Sequence, residues 1–197
     1  IHNVLPHESR WPDVDLEIRR DIVSRADRIH IMSPRTTELC APHFDLPADK
    51  LLLLPHPSYR GAYPSTMTTS QARTSLGIAP SVNVFLTFGR IRPYKGTSEL
   101  LEAFVRLSER EPGRHLLLIA GQPSNDDEIK DVISRAALRP DVLLVDRQIP
   151  DHEVQVFFRA ADAGVYPYRL SLNSGAVALG LTFGLPAVLP TTSGEAG

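Results

Sequence analysis

An arginine and a lysine five residues apart, Arg90 and Lys95, stand on a turn bounded by Gly89 and Gly96 in the stretch FGRIRPYKG. Two cations on such a turn can hold a diphosphate without a metal ion, the guanidinium by its planar fork and the ammonium as a point charge. The stretch is not a dinucleotide fingerprint, since no G-x-G-x-x-G follows the apolar run, and it is not a Walker A loop, since the order is Lys-Gly. On these residues alone an ordinary reading stays open: charges between a strand and a helix are commonly a solvated face.

A second segment, YPYRLSLNSGAVALG, leads from an apolar run through Asn173, Ser174 and Gly175 into a helical pattern with nothing bulky at its start. Free N–H groups at a helix start attract anions, the Ser174 hydroxyl adds a donor, and Gly175 leaves room for close approach. Asn or Ser before a helix is also the ordinary N-cap, and that reading stays open as well. Among other polar residues, His7 and Glu8 lack a metal-ligand spacing. His56, before Pro57, reads as structural or interdomain, Tyr59 and Tyr63 as packing residues, and Cys40 as a core residue.

The elements that must position these loops follow from periodicity. From residue 82 onward short apolar runs (VNVFLTF, HLLLIAG, DVLLV, AGVYPY, PAVLP) alternate with helical patterns. TSELLEAFVRLSE places Leu100, Leu101, Phe104 and Leu107 on one face and stops at Pro112-Gly113. NDDEIKDVISRAAL has Asn125 as its expected cap and Ile129, Val132, Ile133 and Ala136 on its apolar face. DHEVQVFFRAA, with Asp151 as cap, turns Val154, Phe157 and Phe158 inward. Strands that are continuous apolar runs, each followed by a helix, indicate a parallel sheet covered on both faces. The expected class is α/β, a doubly wound Rossmann-like sheet. In such sheets ligands sit at the carboxyl ends of strands, where both loops fall.

Residues 1–55 read as the tail of a preceding α/β domain, 56–80 as a proline- and Ser/Thr-rich connection, and 81–197 as a second domain that stops early. In the first part, DLEIRRDIVSRA is expected to be a helix with Ile18, Ile22 and Ala26 in register. SPRTTELCAPHF is expected to be a helix capped by Ser33 with Pro34 at its first position, and RIHIM and KLLLLPHP to be strands. The chain opens without an initiator Met and without a signal-peptide pattern, and it reads as a piece of a longer protein.

The formal net charge is −2 with both signs mixed, which does not suggest a general nucleic-acid affinity and makes any anion site local. A single cysteine excludes an intrachain disulfide framework and suits a reducing compartment. No run is long and apolar enough to span a membrane.

FGRIRPYKGTSELLEAF resembles the donor-domain signature of retaining GT-B glycosyltransferases, in particular glycosyltransferase family 4, with its G-R, K-G, leucines and A-F in order. ADAGVYPY and FGLPAVLP resemble the family's later A-D-(apolar)-P and G-x-P-V-V segments, and SRADRIHIMS resembles the stretch closing its first domain. Together these cover most of the chain. The resemblance implies a hexosyltransferase that uses a nucleotide diphosphate sugar as donor and a glycan, lipid-linked or small-molecule acceptor. It implies no metal or other cofactor, and a cytoplasmic site of action that can lie at the membrane face through peripheral association of the full-length protein. Exopolysaccharide or other glycan assembly is the implied setting.

By position, the resemblance puts Gly89, Arg90 and Lys95 on the donor diphosphate, helped by Asn173, Ser174 and Gly175. His2 is implied on the acceptor side near the reacting sugar, with a structural or terminal histidine as the alternative, and Glu195 in a ribose or sugar loop. The family's paired glutamates fall at Ser171 and Leu179 here, so both carboxylates are absent. That departure motivates a second reading, a non-catalytic nucleotide-sugar-binding relative. A nucleotide-dependent oxidoreductase is disfavoured by the missing glycine fingerprint.

Overall fold

The computed structural model describes residues 1, 3, 9–169 and 171–193. The chain divides into two compact units. The first holds Ile1–Pro57 with the described residues of Leu170–Gly175 and Thr191–Gly197; the second holds Ser58–Arg169 and Ala176–Pro190.

In the first unit, helix α1 (Pro12–Arg25) precedes strand β1 (Ile29–Ile31), helix α2 (Thr36–Cys40) and strand β2 (Leu51–Leu53). The strands pair in parallel, Ile29 opposite Leu51. Their core is Val23, Ile29, Ile31, Cys40, Phe44, Leu46 and Leu172. The inward face of α1 is not the expected one. Val23 is its buried residue and Leu16 and Ala26 pack beside it, whereas Ile18 and Ile22 are exposed. Helix α2 also starts later than expected, because Ser33 Oγ accepts from Arg35 N–H and closes a turn before the helix.

The second unit opens with an irregular run from Ser58 that leads into a short helix. Inside 56–80, helix α3 (Thr69–Ser75) is opened by a capping box in which Thr68 and Gln71 each accept the other's N–H. Arg73 on α3 is buried against Asp162, 2.6 Å away, and donates to the carbonyls of Ala160, Pro80 and Val82. The same Asp162 oxygen accepts Val84 N–H, so one ion pair ties α3 to the first residues of the sheet. Gln155 Oε1 accepts the N–H groups of Thr66 and Met67 and pins the irregular run before α3. Tyr59 and Tyr63 meet edge-on at 5.8 Å and pack on the apolar core.

Five parallel strands follow: β3 (Asn83–Phe88), β4 (His115–Ala120), β5 (Val142–Val145), β6 (Ala163–Val165) and β7 (Ala187–Val188). Helices α4 (Thr97–Arg110), α5 (Asp127–Ala137), α6 (Val154–Ala160) and α7 (Gly175–Thr182) alternate with them. The sheet order is β5-β4-β3-β6-β7, so the chain winds one way from β3 and then back across it. That is the doubly wound class, with its switch between β3 and β6.

The central strands are covered on both faces. Leu100, Leu101 and Phe104 of α4, with Ile129, Val132 and Ala136 of α5, cover Leu117 and Ile119. Phe157 and Phe158 of α6 and Leu179 of α7 pack with Leu86 and Leu118. Each fully buried side chain of this size contributes about 1.5–3 kcal/mol. Two caps differ from expectation: Asp126 rather than Asn125 precedes α5, and Glu153 rather than Asp151 precedes α6. In both, a hydrogen-bonded turn takes up the residues before the helix.

Strand β3 pairs with β4 through six residues but with β6 through only two. Beyond Phe85–Leu86 of β3 and Ala163–Gly164 of β6 the ladder stops, and the loops leaving both strands follow from the switch point. Among the described residues no helix is long and apolar enough to cross a membrane.

Candidate functional site

The loop after β3 is stitched to the exit of β4 before it turns away. Gly89 N–H donates to the Ala120 carbonyl and Ile91 N–H to the Gln122 carbonyl, both at 2.9 Å; Ser124 N–H returns to the Ile91 carbonyl. Ile91 is buried as a plug, and Arg90 between these two bonded residues is exposed. A cleft of about 430 Å³ opens here, lined by Phe88, Gly89 and Arg90 after β3, Gly121 and Gln122 after β4, and Gln148 and Ile149 after β5. These residues stand at the carboxyl ends of neighbouring parallel strands, where a ligand of an open α/β sheet binds.

Pro93–Lys95 then form a single 3-10 turn that ends at Gly96 in the left-handed conformation, φ 67°. A Cβ on Gly96 would lie 2.1 Å from the Pro167 carbonyl oxygen, so the turn touches the segment after β6 at a point that admits only glycine. Lys95 folds back: its Nζ would be 3.1 Å from a Cβ on Gly89 and is 5.6 Å from the Tyr168 ring centroid. Burial, with a smaller push from Arg92, lowers the Lys95 ammonium to a pKa of about 8. Neither Arg90 nor Lys95 has a carboxylate partner within ion-pair distance among the described residues.

Carboxylates do occur nearby, engaged elsewhere. Arg169, after β6, sits 2.7 Å from Glu99 in the first turn of α4 and 2.7 Å from Glu128 in the first turn of α5. The hydrogen bond from Arg169 holds the Glu99 carboxyl below its ordinary range, and both acids raise the guanidinium.

The structure thus brings Gly89, Arg90 and Lys95 together on one loop of the second unit. Asn173, Ser174 and Gly175 belong to the first unit: Asn173 is buried, Ser174 half-buried, and Gly175 is the first residue of α7. His2 and Glu195 lie outside the described residues. At the positions of the missing glutamates, Ser171 is buried in the first unit and Leu179 belongs to the apolar core of the second. His56 bonds through Nδ1 to the Pro57 carbonyl at 2.9 Å. Among the described residues no group of three His, Cys, Asp or Glu side chains could hold a metal ion.

Sequence reasoning did not single out Gly121, Gln122, Gln148, Ile149, Tyr168 or Arg169. The signal available was positional, since each follows the end of a parallel strand.

The family profile of the glycosyl transferases group 1 matches residues 69–195. The chain belongs to that family. Among curated relatives, the D-inositol 3-phosphate glycosyltransferase of Corynebacterium glutamicum is 27% identical over 184 residues, 89% of this chain and 41% of that protein. The protein of the same name from Nocardia farcinica is 35% identical over 114 residues, 55% of this chain and 25% of that protein. Among solved structures, HepE of Anabaena in complex with UDP-glucose superposes with a TM-score of 0.77 at 18% identity, covering 98% of this chain and 53% of that one. WaaG, a glycosyltransferase involved in lipopolysaccharide biosynthesis, gives 0.75 at 20% identity over 95% of this chain and 51% of that one. This glycosyl transferase chain has the fold of the GT-B enzymes, and it spans less than half the length of these curated relatives.

Proposed function

We propose that this glycosyl transferase moves a hexose from a nucleotide diphosphate sugar to an acceptor, with Arg90 and Lys95 on the donor diphosphate. The observation that supports this most is the pair of cations that have no carboxylate partner among the described residues, on one loop at the switch point of a parallel sheet and beside an open cleft. Such groups neutralise charge developing on the leaving nucleoside diphosphate and so favour the transition state over the bound substrate. Gly89 gives the diphosphate close access to the strand end. Asn173, Ser174 and Gly175 are proposed to add hydrogen-bond donors, His2 to face the acceptor and Glu195 to reach the ribose or sugar. Membership of glycosyltransferase family 4 and retention of configuration are part of the same reading, supported by the order of motifs from Gly89 to Pro190.

The acceptor class is a glycan, a lipid-linked saccharide or a small molecule. The names of the curated relatives make a phosphorylated inositol the first small acceptor to try. Action in the cytoplasm, at the membrane face when the acceptor is lipid-linked, fits this reading, as does a role in polysaccharide assembly. The domain reading stays with it: 1–55 as the end of an acceptor domain, 56–80 as the passage between domains and 81–197 as the donor domain.

One observation favours a second reading. Leu179, where the family carries a glutamate, is packed in the apolar core, so the sugar-reading carboxylate is not merely displaced by a residue or two along α7. A relative that binds nucleotide sugars without turning them over would tolerate that loss.

Calorimetric titration with UDP, GDP and ADP, and turnover with the matching nucleotide sugars, separates these. Arg90→Ala and Lys95→Ala are each expected to weaken nucleoside diphosphate binding by about 10- to 100-fold, the range for a charged hydrogen bond. Binding without turnover supports the second reading. Absence of binding to all of these diphosphates overturns both.

A further inference from the structure

The turn that carries Lys95 is tied to the segment that leaves β6. Only a single 3-10 turn separates Arg92 from Gly96. Several of its contacts are to the segment that leaves β6. Arg169 N–H donates to the Tyr94 carbonyl at 2.9 Å, the Pro167 carbonyl oxygen is packed against Gly96, and the Tyr94 and Tyr168 rings are 6.3 Å apart. Tyr168 is itself fixed from below: its N–H donates to the Tyr166 carbonyl, and the fully buried Tyr166 bonds through its hydroxyl to the Ala176 carbonyl. Its ring faces the Lys95 ammonium at 5.6 Å.

Arg169 adds a second tie. Its guanidinium spans the first turns of the two helices that follow β3 and β4, reaching Glu99 through Nε and Glu128 through a second nitrogen. An isolated exposed ion pair holds little, but a planar fork joined to two acids on different helices fixes direction as well as charge.

We infer that Tyr168 and Arg169 are positioning residues for Lys95, Arg169 by holding the Arg92–Gly96 turn and Tyr168 by giving the ammonium an aromatic face to rest on. The inference rests on the reading of Lys95 as a diphosphate-holding cation. A lysine head is a point charge on a flexible stem, and holding it before the ligand arrives removes ordering that binding would otherwise have to do. The aromatic quadrupole attracts the charged form, so the ring both orients the ammonium and keeps it protonated at a half-buried position. The charged group acting on this ammonium is Arg92 from its own turn, which opposes the charge; Arg169 after β6 is paired with Glu99 and Glu128.

The test uses the full-length protein, UDP as probe, and NMR titration of the Lys95 methylene carbon next to Nζ. Tyr168→Leu keeps an apolar neighbour but removes the quadrupole. It should move the Lys95 midpoint down by about half a pH unit and weaken UDP binding several-fold. Tyr168→Phe keeps the face and should change neither by more than about twofold. Arg169→Met leaves the backbone bond to Tyr94 intact and should weaken UDP binding several-fold while widening the Lys95 signal. In a Lys95→Met background, neither Tyr168→Leu nor Arg169→Met should cost further affinity, because both act through Lys95. An unmoved Lys95 midpoint in Tyr168→Leu, or losses that simply add in the double variants, overturns the inference. If the unmodified protein binds no UDP, the diphosphate reading falls, and the midpoint alone decides whether Tyr168 positions Lys95.

Discussion

Gly121 and Gly89 cross so closely that a Cβ on Gly121 would lie 2.0 Å from the Gly89 carbonyl oxygen. Gly121 also holds a φ of 151°, at the edge of what side-chain-bearing residues adopt. The two glycines end β3 and β4 where the cleft opens, so this contact sets the distance between its two walls. Gly121→Ala is expected to destabilise the protein by about 2–4 kcal/mol and to weaken UDP binding, since the backbone must shift to make room. Gly61→Ala is the contrast: its φ of 80° is strained for alanine, but nothing lies within 4 Å. It should cost about 1 kcal/mol and leave binding unchanged, as read by urea denaturation and calorimetry. Equal effects of both substitutions on UDP affinity would remove the crossing from the site.

The pH dependence follows from Lys95. Its folded pKa, about 8, lies below the ordinary lysine value of 10.5. The unfolded chain therefore binds the extra proton between these values, and this residue's contribution to stability rises with pH from about 8 to 10.5. Ligand binding runs the other way, because a diphosphate needs the ammonium. UDP affinity should be level below pH 8 and fall by up to about tenfold per unit above it. In Lys95→Met the fall should vanish, and without ligand the variant should be more stable at pH 7 by about 1–2 kcal/mol, desolvation outweighing the lost aromatic contact. A wild-type affinity that is flat from pH 7 to 10 contradicts this account.

Much of the second unit was legible because its strands are largely apolar and its longer helices carry one clean stripe; Ile129, Val132 and Ala136 are buried as the spacing required. Short elements were not. Helix α3 has seven residues, its inward side chains include a charged one, Arg73, and its Thr68–Gln71 capping box sits in a stretch whose proline, serine and threonine content suggested a connection. The inward face of α1 was misread for a related reason. Two isoleucines looked like the stripe, but a helix packed on a two-stranded pair buries a narrow face centred on Val23. In the site, Arg90 and Lys95 could be found by charge and spacing. Tyr168 and Arg169 could not, because their partners are supplied by the turn after β3, by α4 and by α5, distant in sequence.

The ion pair of Arg73 and Asp162 is asymmetric. Arg73 is buried and also serves the carbonyls of Ala160, Pro80 and Val82, while the Asp162 side chain is 49% exposed. Arg73→Ala removes the cation and strands those carbonyls, and should cost about 3 kcal/mol in chemical denaturation. Asp162→Asn retains an oxygen for the Val84 N–H and leaves the guanidinium bonded to carbonyls, so about 1 kcal/mol is expected. If the two substitutions cost the same, the charge pairing rather than the carbonyl contacts governs the site.

Gln155 joins α6 to the chain before α3 through a single oxygen. Its Oε1 accepts Thr66 N–H at 2.9 Å and Met67 N–H at 3.1 Å, and its residue is buried. Neither N–H belongs to a helix or strand, so the glutamine is what replaces water for both. Gln155→Leu fills nearly the same volume without the oxygen and removes the acceptor of both N–H groups, which should destabilise by about 1 kcal/mol because water can reach the Thr66 end. The local consequence distinguishes this from a general loss of core packing. Hydrogen exchange at Thr66 and Met67 should accelerate far more than exchange in β3 and β4, whose amides open only with the whole unit. Uniform acceleration across the sheet would mean that Gln155 holds the core of the second unit rather than the segment that leads into α3.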